Sequence, residues 1–335
     1  MILARAPLRI SFVGGGTDLP AFYRTYPGRV VSVTIDKYIY VLINPIPLTD
    51  EFRVKYAKTE FVKHPKDLEH PSIKAALLDL GITKSAIEIG SFADLPAKTG
   101  MGSSSSFSAA LLKGLYAHIG KALSAEEAAY AACRLEIDLL QEPIGKQDQY
   151  AAAYGGFNLI QFNKDDSVEV MPVFIDYAKR SLLEDHLLLF FTGITRFASE
   201  ILTVQNSGVG KHFETYKKMS DSVFDFEKML LAGDVHGMAR MLHEGWLSKK
   251  SLAENITTPV IDSLYEAGCG AGAWGGKILG AGGGGCILFL AKPEQHNTIR
   301  SAVSGVASKN NLTGFKEIPV RFVQSGTDIL FNTRK

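Results

Sequence analysis

The chain has 335 residues, of which 46% are hydrophobic and 21% charged, so it can build one or two domains around a sizeable core and is too apolar to be disordered. Lys and Arg (36) nearly balance Asp and Glu (35), and a net charge of +1 gives no argument for a nucleic-acid footprint or a polybasic membrane surface; an anionic ligand must be held by a local site. The three cysteines, Cys133, Cys269 and Cys286, form no C-x-x-C pair and read as small hydrophobes; with no signal-peptide pattern at the start and no apolar run of ~18 residues, a cytoplasmic protein is expected.

Residues 8–13 alternate apolar and polar, the period of a strand, and stop at Gly14-Gly15-Gly16-Thr17-Asp18, a turn that lets backbone approach a neighbour closely. Residues 30–35 and 38–43 read as two strands of a meander, and 52–56 as another. A helix over 71–80 and a strand over 86–91 lead into Leu95-Pro96-Ala97-Lys98-Thr99-Gly100-Met101-Gly102-Ser103-Ser104-Ser105-Ser106. Helices are predicted over about 107–119 and from Ser124 to about 140, the second opened by the capping-box pair Ser124 and Glu127. A helical turn at 150–154 and a strand at 157–162 follow. The polar turn 163–167 is the expected region of a domain boundary, dividing the chain into 1–166 and 167–335. Beyond it come a buried strand at 187–193, amphipathic helices over about 210–232 and 235–251, and a helix from Thr258-Pro259 to about 267. A further glycine-rich segment, 275–285, feeds a strand at 286–291; a helix over 293–309 and a strand over 315–322 close the chain. The mixture is α+β.

Three glycine-rich segments in one chain say more than any one. The middle segment delivers the chain onto a helix start, where unpaired N–H groups and the helix dipole favour an anion and serine hydroxyls add donors; it reads as a phosphate-binding loop, the alternative being a solvent-exposed Ser-rich linker running into a capped helix. It does not fit G-x-x-x-x-G-K-[ST] or G-x-G-x-x-G, and the H-R-D and D-F-G motifs of protein kinases are absent. Asp18 at the tip of the first glycine turn can accept hydrogen bonds from sugar hydroxyls or merely close an Asx turn. On spacing alone Glu136 reads as a solvated helix face and Asp148 as the cap of a short helical turn.

The stretch 7–18, PLRISFVGGGTD, resembles the first motif of the GHMP kinases; 96–106 resembles their P-x-x-x-G-L-G-S-S phosphate loop, and 277–284, KILGAGGG, resembles their third motif. All three stand in the family's order. Within the family, GGGTDLP at 14–20, TGMGSSSS at 99–106, IGKQDQY at 144–150 and FTGITR at 191–196 are similar to sugar kinases acting on D-glycero-D-manno-heptose 7-phosphate, and the kinase half of bifunctional fucose kinase/pyrophosphorylases looks similar. The resemblance implies a two-lobed fold: a ribosomal-S5-domain-2-like N-terminal lobe that binds ATP and a ferredoxin-like C-terminal lobe. It also implies ATP and Mg²⁺ as cofactors, with Pro96, Lys98, Thr99, Gly100, Met101, Gly102, Ser103, Ser104, Ser105 and Ser106 around the ATP phosphates. Ser104 and Glu136 would hold Mg²⁺, with a one-residue ambiguity in the serine register. Asp148 would be the catalytic aspartate that accepts or orients the proton of the attacking hydroxyl, and Arg9 the basic residue that lowers that hydroxyl's pKa and neutralises developing charge. Gly15, Gly16, Thr17 and Asp18 would meet the sugar, Gly282 and Gly283 would line the site, and Arg196 and Lys277, with Arg24 a weaker candidate, would bind a substrate phosphate. The partner implied is a small molecule, with neither nucleic acid nor membrane. A kinase of a free sugar of fucose or galactose type, and a catalytically silent ATP/sugar sensor, are the alternatives.

Overall fold

The computed structural model describes residues 1–333 apart from 85, 197 and 254. The first lobe opens with β1 (Ile2–Val13), the single turn α1 (Pro20–Tyr23) and the long β2 (Gly28–Pro45). After β3 (Phe52–Lys55), β4 (Thr59–Val62), α2 (Pro71–Asp79) and β5 (Ile87–Ala93) come α3 (Ser103–His118), α4 (Ala125–Cys133), a π-helical segment (Arg134–Leu139) and α5 (Gln147–Tyr154). The hairpin β6 (Phe157–Phe162) and β7 (Val168–Pro172) completes this run. The second lobe is α6 (Tyr177–Asp185), β8 (Leu187–Phe191), α7 (Ala198–Gly208), α8 (Phe213–Ala232), α9 (Val235–Lys250), α10 (Pro259–Gly270), β9 (Ala273–Ile278), β10 (Cys286–Ala291), α11 (His296–Lys309) and β11 (Lys316–Glu317). The last strand, β12 (Asp328–Asn332), returns to the first lobe and pairs antiparallel with β1.

The larger sheet runs β12-β1-β2-β5-β3-β4, with β6 and β7 branching from β2. The smaller sheet runs β11-β8-β10-β9, all antiparallel. Counted from β8, that is the strand order 4-1-3-2 with helices in the crossovers, a ferredoxin-like arrangement. Helix α3 packs against β1 and β2, and α9 against β9. One hydrophobic cluster joins Ile10 and Phe12 of β1 to Phe226 of α8, Leu242 of α9 and Leu288 of β10, so the lobes share a core.

Several elements differ from their expected form. The two strands at 30–35 and 38–43 are one bent strand. Its first half, Gly28–Val33, pairs with β6, and its second, Ile39–Pro45, with β5. Asp36 does not turn the chain because its backbone N–H and carboxylate are paired with Arg321. The helix expected from 107 begins at Ser103, so the serines are its first turn and the loop proper ends at Gly102. The turn at 163–167 joins β6 to β7 inside the first sheet, and the chain leaves that sheet after Pro172. The strand expected over 315–322 is only Lys316–Glu317 plus a bridge from Phe322 to Ile35; the final edge strand is β12.

Candidate active site

A cavity of about 900 Å³ lies between the lobes and is walled by all three glycine-rich segments. At its centre, Gly102 adopts φ 74° as the residue before α3, a left-handed conformation that favours glycine. A Cβ there would also press within 3.3 Å of both Arg9 and Asp148. Ser106 N–H is the first helical donor taken up, by Gly102 O at 2.9 Å, which leaves the N–H groups of Ser103, Ser104 and Ser105 at the helix end. Gly100 and Gly280 meet backbone to backbone, since a Cβ on Gly100 would lie 2.6 Å from Leu279 O and one on Gly280 2.8 Å from Gly100 Cα. Cys286 N–H donates to Thr99 O at 3.0 Å, fixing the third motif against the second.

Arg9 sits in the middle of β1, 3% exposed, and clasps Asp148 on the first turn of α5. Its Nε donates to Asp148 Oδ1 and its Nη2 to Oδ2, both at 2.8 Å, while Nη1 donates to Gly100 O at 2.7 Å. This fork-to-fork geometry is available to Arg and not to Lys. Asp148 lies inside α5, and Lys146 occupies the capping position without a side-chain bond, so the cap reading of Asp148 does not hold.

Glu136 is 1% exposed, not solvated. It stands in the π-helical segment, whose wider turn is closed by Leu140 N–H donating to Leu135 O. Its Oε1 accepts from Ser104 Oγ at 2.7 Å; its Oε2 accepts from Ser105 Oγ at 2.8 Å and from Gln149 Nε2 at 2.6 Å. Burial nonetheless pushes its pKa above the ordinary glutamate value. Ser104 is exposed to the cavity whereas Ser105 is buried, which bears on the register of the serine run.

Asp18, 3% exposed, faces the same cavity. Gly16 N–H donates to its Oδ1 at 3.2 Å, Gln147 N–H to Oδ2 at 3.1 Å and Gln147 Nε2 to Oδ1 at 3.0 Å. Ser11 Oγ in turn donates to Gln147 Oε1 at 3.0 Å. No cation is among these partners, and burial raises the Asp18 pKa. Gly145 leaves the space this carboxylate fills, since a Cβ there would lie 2.0 Å from Asp18 Oδ2. Gly145→Ala should therefore displace Asp18. With Asp18 meeting the sugar, as the resemblance implies, steady-state kinetics should show the acceptor KM about tenfold higher, the worth of one or two hydrogen bonds, and the ATP KM unchanged.

Other expected residues separate. Pro96, Lys98, Gly100, Gly102, Ser103, Ser104, Ser105, Gly15, Gly16, Arg196, Lys277 and Gly282 line the cavity. Arg196 is exposed there. Lys277 is buried, with Nζ donating to Ser11 O at 3.0 Å and Phe12 O at 2.7 Å. Four side chains face elsewhere. Met101 and Thr99 are fully buried, Met101 within the core. Ser106 Oγ donates to Pro7 O at 2.8 Å, behind α3. Thr17 Oγ1 donates to Arg29 O at 2.8 Å, tying the glycine turn to β2. Gly283 packs under Asn255 and Ile201, and Arg24 pairs with Asp166 on the surface.

Sequence reasoning missed Gln147, Gln205 and Lys249, which all line the cavity. Gln147 stood inside the quoted IGKQDQY, beside Asp148. Lys249 gave no signal, because it looks like one more lysine at the end of an amphipathic helix. The far end of the cavity is aromatic: Tyr56, Phe92 and Phe107 line it with His70, whose ring lies 4.8 Å from Tyr56 and 5.2 Å from Phe107.

A helix end stripped of side-chain bulk and an arginine-clasped aspartate within one cleft define a two-lobed small-molecule phosphotransferase. The chain belongs to the GHMP kinases, ATP-dependent enzymes with an alcohol group as acceptor. Residues 71–156 match the GHMP kinases N terminal domain and residues 226–308 the GHMP kinases C terminal domain. It is 29% identical to D-glycero-alpha-D-manno-heptose 7-phosphate kinase of Campylobacter jejuni, over 90% of this chain and 92% of that one. A solved D-glycero-D-manno-heptose 1-phosphate kinase from Bacteroides thetaiotaomicron superposes with a TM-score of 0.80 at 27% identity, covering 99% of both chains. Bifunctional fucokinase/GDP-fucose pyrophosphorylase of Arabidopsis thaliana is 27% identical over 86% of this chain, which spans only 30% of that protein. Among the described residues, no helix is long and apolar enough to cross a membrane.

Proposed function

We propose that the protein transfers the γ-phosphoryl group of ATP to the anomeric hydroxyl of D-glycero-D-manno-heptose 7-phosphate, giving the 1,7-bisphosphate for nucleotide-activated heptose and surface polysaccharide synthesis, as a cytoplasmic enzyme. The single observation that carries the kinase chemistry is the Arg9–Asp148 clasp, held against the open N-terminus of α3. The heptose assignment rests on the likeness to the heptose phosphate kinases. The triphosphate lies along 96–105, with its phosphates on the N–H groups of Ser103–Ser105, and adenine occupies the aromatic end by Tyr56, His70 and Phe107. Asp148 orients the attacking hydroxyl and accepts its proton, while Arg9 keeps that carboxylate in place and neutralises developing charge. Asp18 and Gln147 accept and donate to sugar hydroxyls.

Ser104 Oγ and Glu136 Oε1 are paired hard oxygen donors at the edge of the phosphate loop. They suit Mg²⁺, which takes one or two protein oxygens and completes its shell with phosphate and water. When bound, the ion supplies charge neutralisation of the phosphates. Exposure to the cavity supports Ser104 over its buried neighbour Ser105 for this role.

The test is a panel of heptose 7-phosphate, heptose 1-phosphate, free heptose, fucose and galactose with ATP, read by ADP release. Heptose 7-phosphate should give the highest kcat/KM. Faster turnover of a free hexose would overturn the substrate assignment in favour of a free-sugar kinase. No turnover of any sugar, with ATP still bound, would favour a sensor.

A further inference from the structure

We propose that Lys249, on the last turn of α9, binds a phosphoryl oxygen at the acceptor end of the cavity. This rests on the kinase reading above and adds to it a residue from the second lobe. Lys249 is 6% exposed and lines the cavity. Its one described hydrogen bond runs from Nζ to Gly280 O at 2.6 Å, in the third glycine-rich motif. That motif packs on Gly100, whose carbonyl accepts from Arg9, so the ammonium stands beside the Arg9–Asp148 clasp.

Among the described residues it has no carboxylate partner. Asp148 is committed to Arg9 in a bidentate pair, and Asp18 to the N–H groups of Gly16 and Gln147. Lys277 on β9 is likewise buried and donates only to the carbonyls of Ser11 and Phe12. Among the described residues, this end of the cavity thus holds two buried lysines with no carboxylate hydrogen-bonded to either; burial and the nearby charges of Lys249 and Arg9 hold Lys277 well below the ordinary lysine pKa. A buried, unpaired cation is a cost to the fold, and an ammonium retained there is organised for an anion that arrives. The fields acting on Lys249 come from Arg9, Asp18 and Asp148, and burial draws its pKa down to about 8. The plain structural alternative is a pillar under Gly280. A neutral amide would serve that purpose with less desolvation.

The anion has two sources with the same chemistry: the phosphoryl group in flight, or the acceptor's own phosphate ester. Lys249→Gln removes the charge while keeping a donor for Gly280 O; Lys249→Met is the second variant. Each should lower kcat/KM by about 10- to 100-fold, the worth of a charge-assisted hydrogen bond, with ATP binding retained. The melting temperature of the ligand-free protein should stay level or rise. A KM increase for heptose 7-phosphate that is absent with free heptose assigns the anion to the acceptor's ester; a kcat loss shared by both assigns it to the group in flight. If the wild type prefers an unphosphorylated sugar, the substrate assignment fails while the kcat effect with that sugar still tests Lys249. Unchanged kcat and KM in both variants, or a collapse of both melting temperatures, would overturn the proposal.

Discussion

Asp148→Asn is expected to lower kcat by about 10²–10⁴-fold, the range for removing a positioned general base, and to leave ATP affinity close to wild type. The asymmetry follows from where the aspartate stands. It contacts Arg9 and the edge of Gly102, while the N–H groups proposed to hold the phosphates belong to Ser103, Ser104 and Ser105 beyond it. Asn retains one oxygen for the Arg9 fork, so the geometry is perturbed less than the charge. Arg9→Met should be similarly slow, because the side chain that fixes the carboxylate is gone, and the double variant should be little slower than the worse single one. Residues acting as one unit are not additive. Turnover read by ADP release and ATP binding by calorimetry check this. Turnover of Asp148→Asn near wild type would remove the aspartate from the chemistry and return it to a purely structural partner of Arg9.

How much of this was legible in the sequence depends on which physical signal each residue carries. The strand at 157–162 and the helices over 210–232 and 235–251 were readable because hydrophobic period and local capping agree; Ser124 and Glu127 do form their reciprocal box, and Asp234 Oδ1 accepts from Gly237 N–H. The β2 break at Asp36 was misread because Asp36-Lys37 looks like a turn, whereas pairing with β1 on both sides and with the distant Arg321 keeps it extended. The serine run was read as loop because serine competes with helix hydrogen bonding in isolation; here Ser104, Ser105 and Ser106 spend their hydroxyls on Glu136 and Pro7, partners 31 to 99 residues away. Motif residues such as Arg9 and Asp18 were legible through resemblance. Lys249 was not, since its lack of a counter-ion exists only once α9, β1 and the third glycine segment meet.

Glu136→Gln should separate two demands that meet on one side chain. Three neutral donors, from Ser104, Ser105 and Gln149, satisfy the carboxylate, yet no cation among the described residues balances its charge at 1% exposure. An ionised carboxylate so placed is a net cost to the ligand-free fold, because its hydrogen bonds do not repay the desolvation that raises its pKa. A neutral amide can accept from Gln149 and donate to a rotated serine hydroxyl, so the melting temperature without ligand should be maintained or slightly raised. In the reading of Ser104 and Glu136 as the cation pair, the same change should raise the Mg²⁺ concentration needed for half-maximal rate by about 10-fold or more and lower kcat with it, since a neutral oxygen replaces a charged one. Ser105→Ala removes one donor to the far oxygen and should cost about 1 kcal/mol of stability without moving the Mg²⁺ requirement. Ser104→Ala should move it. A Glu136→Gln protein that melts far below wild type but keeps its Mg²⁺ dependence would make the glutamate a keystone of the π-helical turn and take it out of the cation site. The opposite pattern, a stable protein with an altered Mg²⁺ requirement, would explain why a buried charge persists in a turn that hydrogen bonds alone could hold.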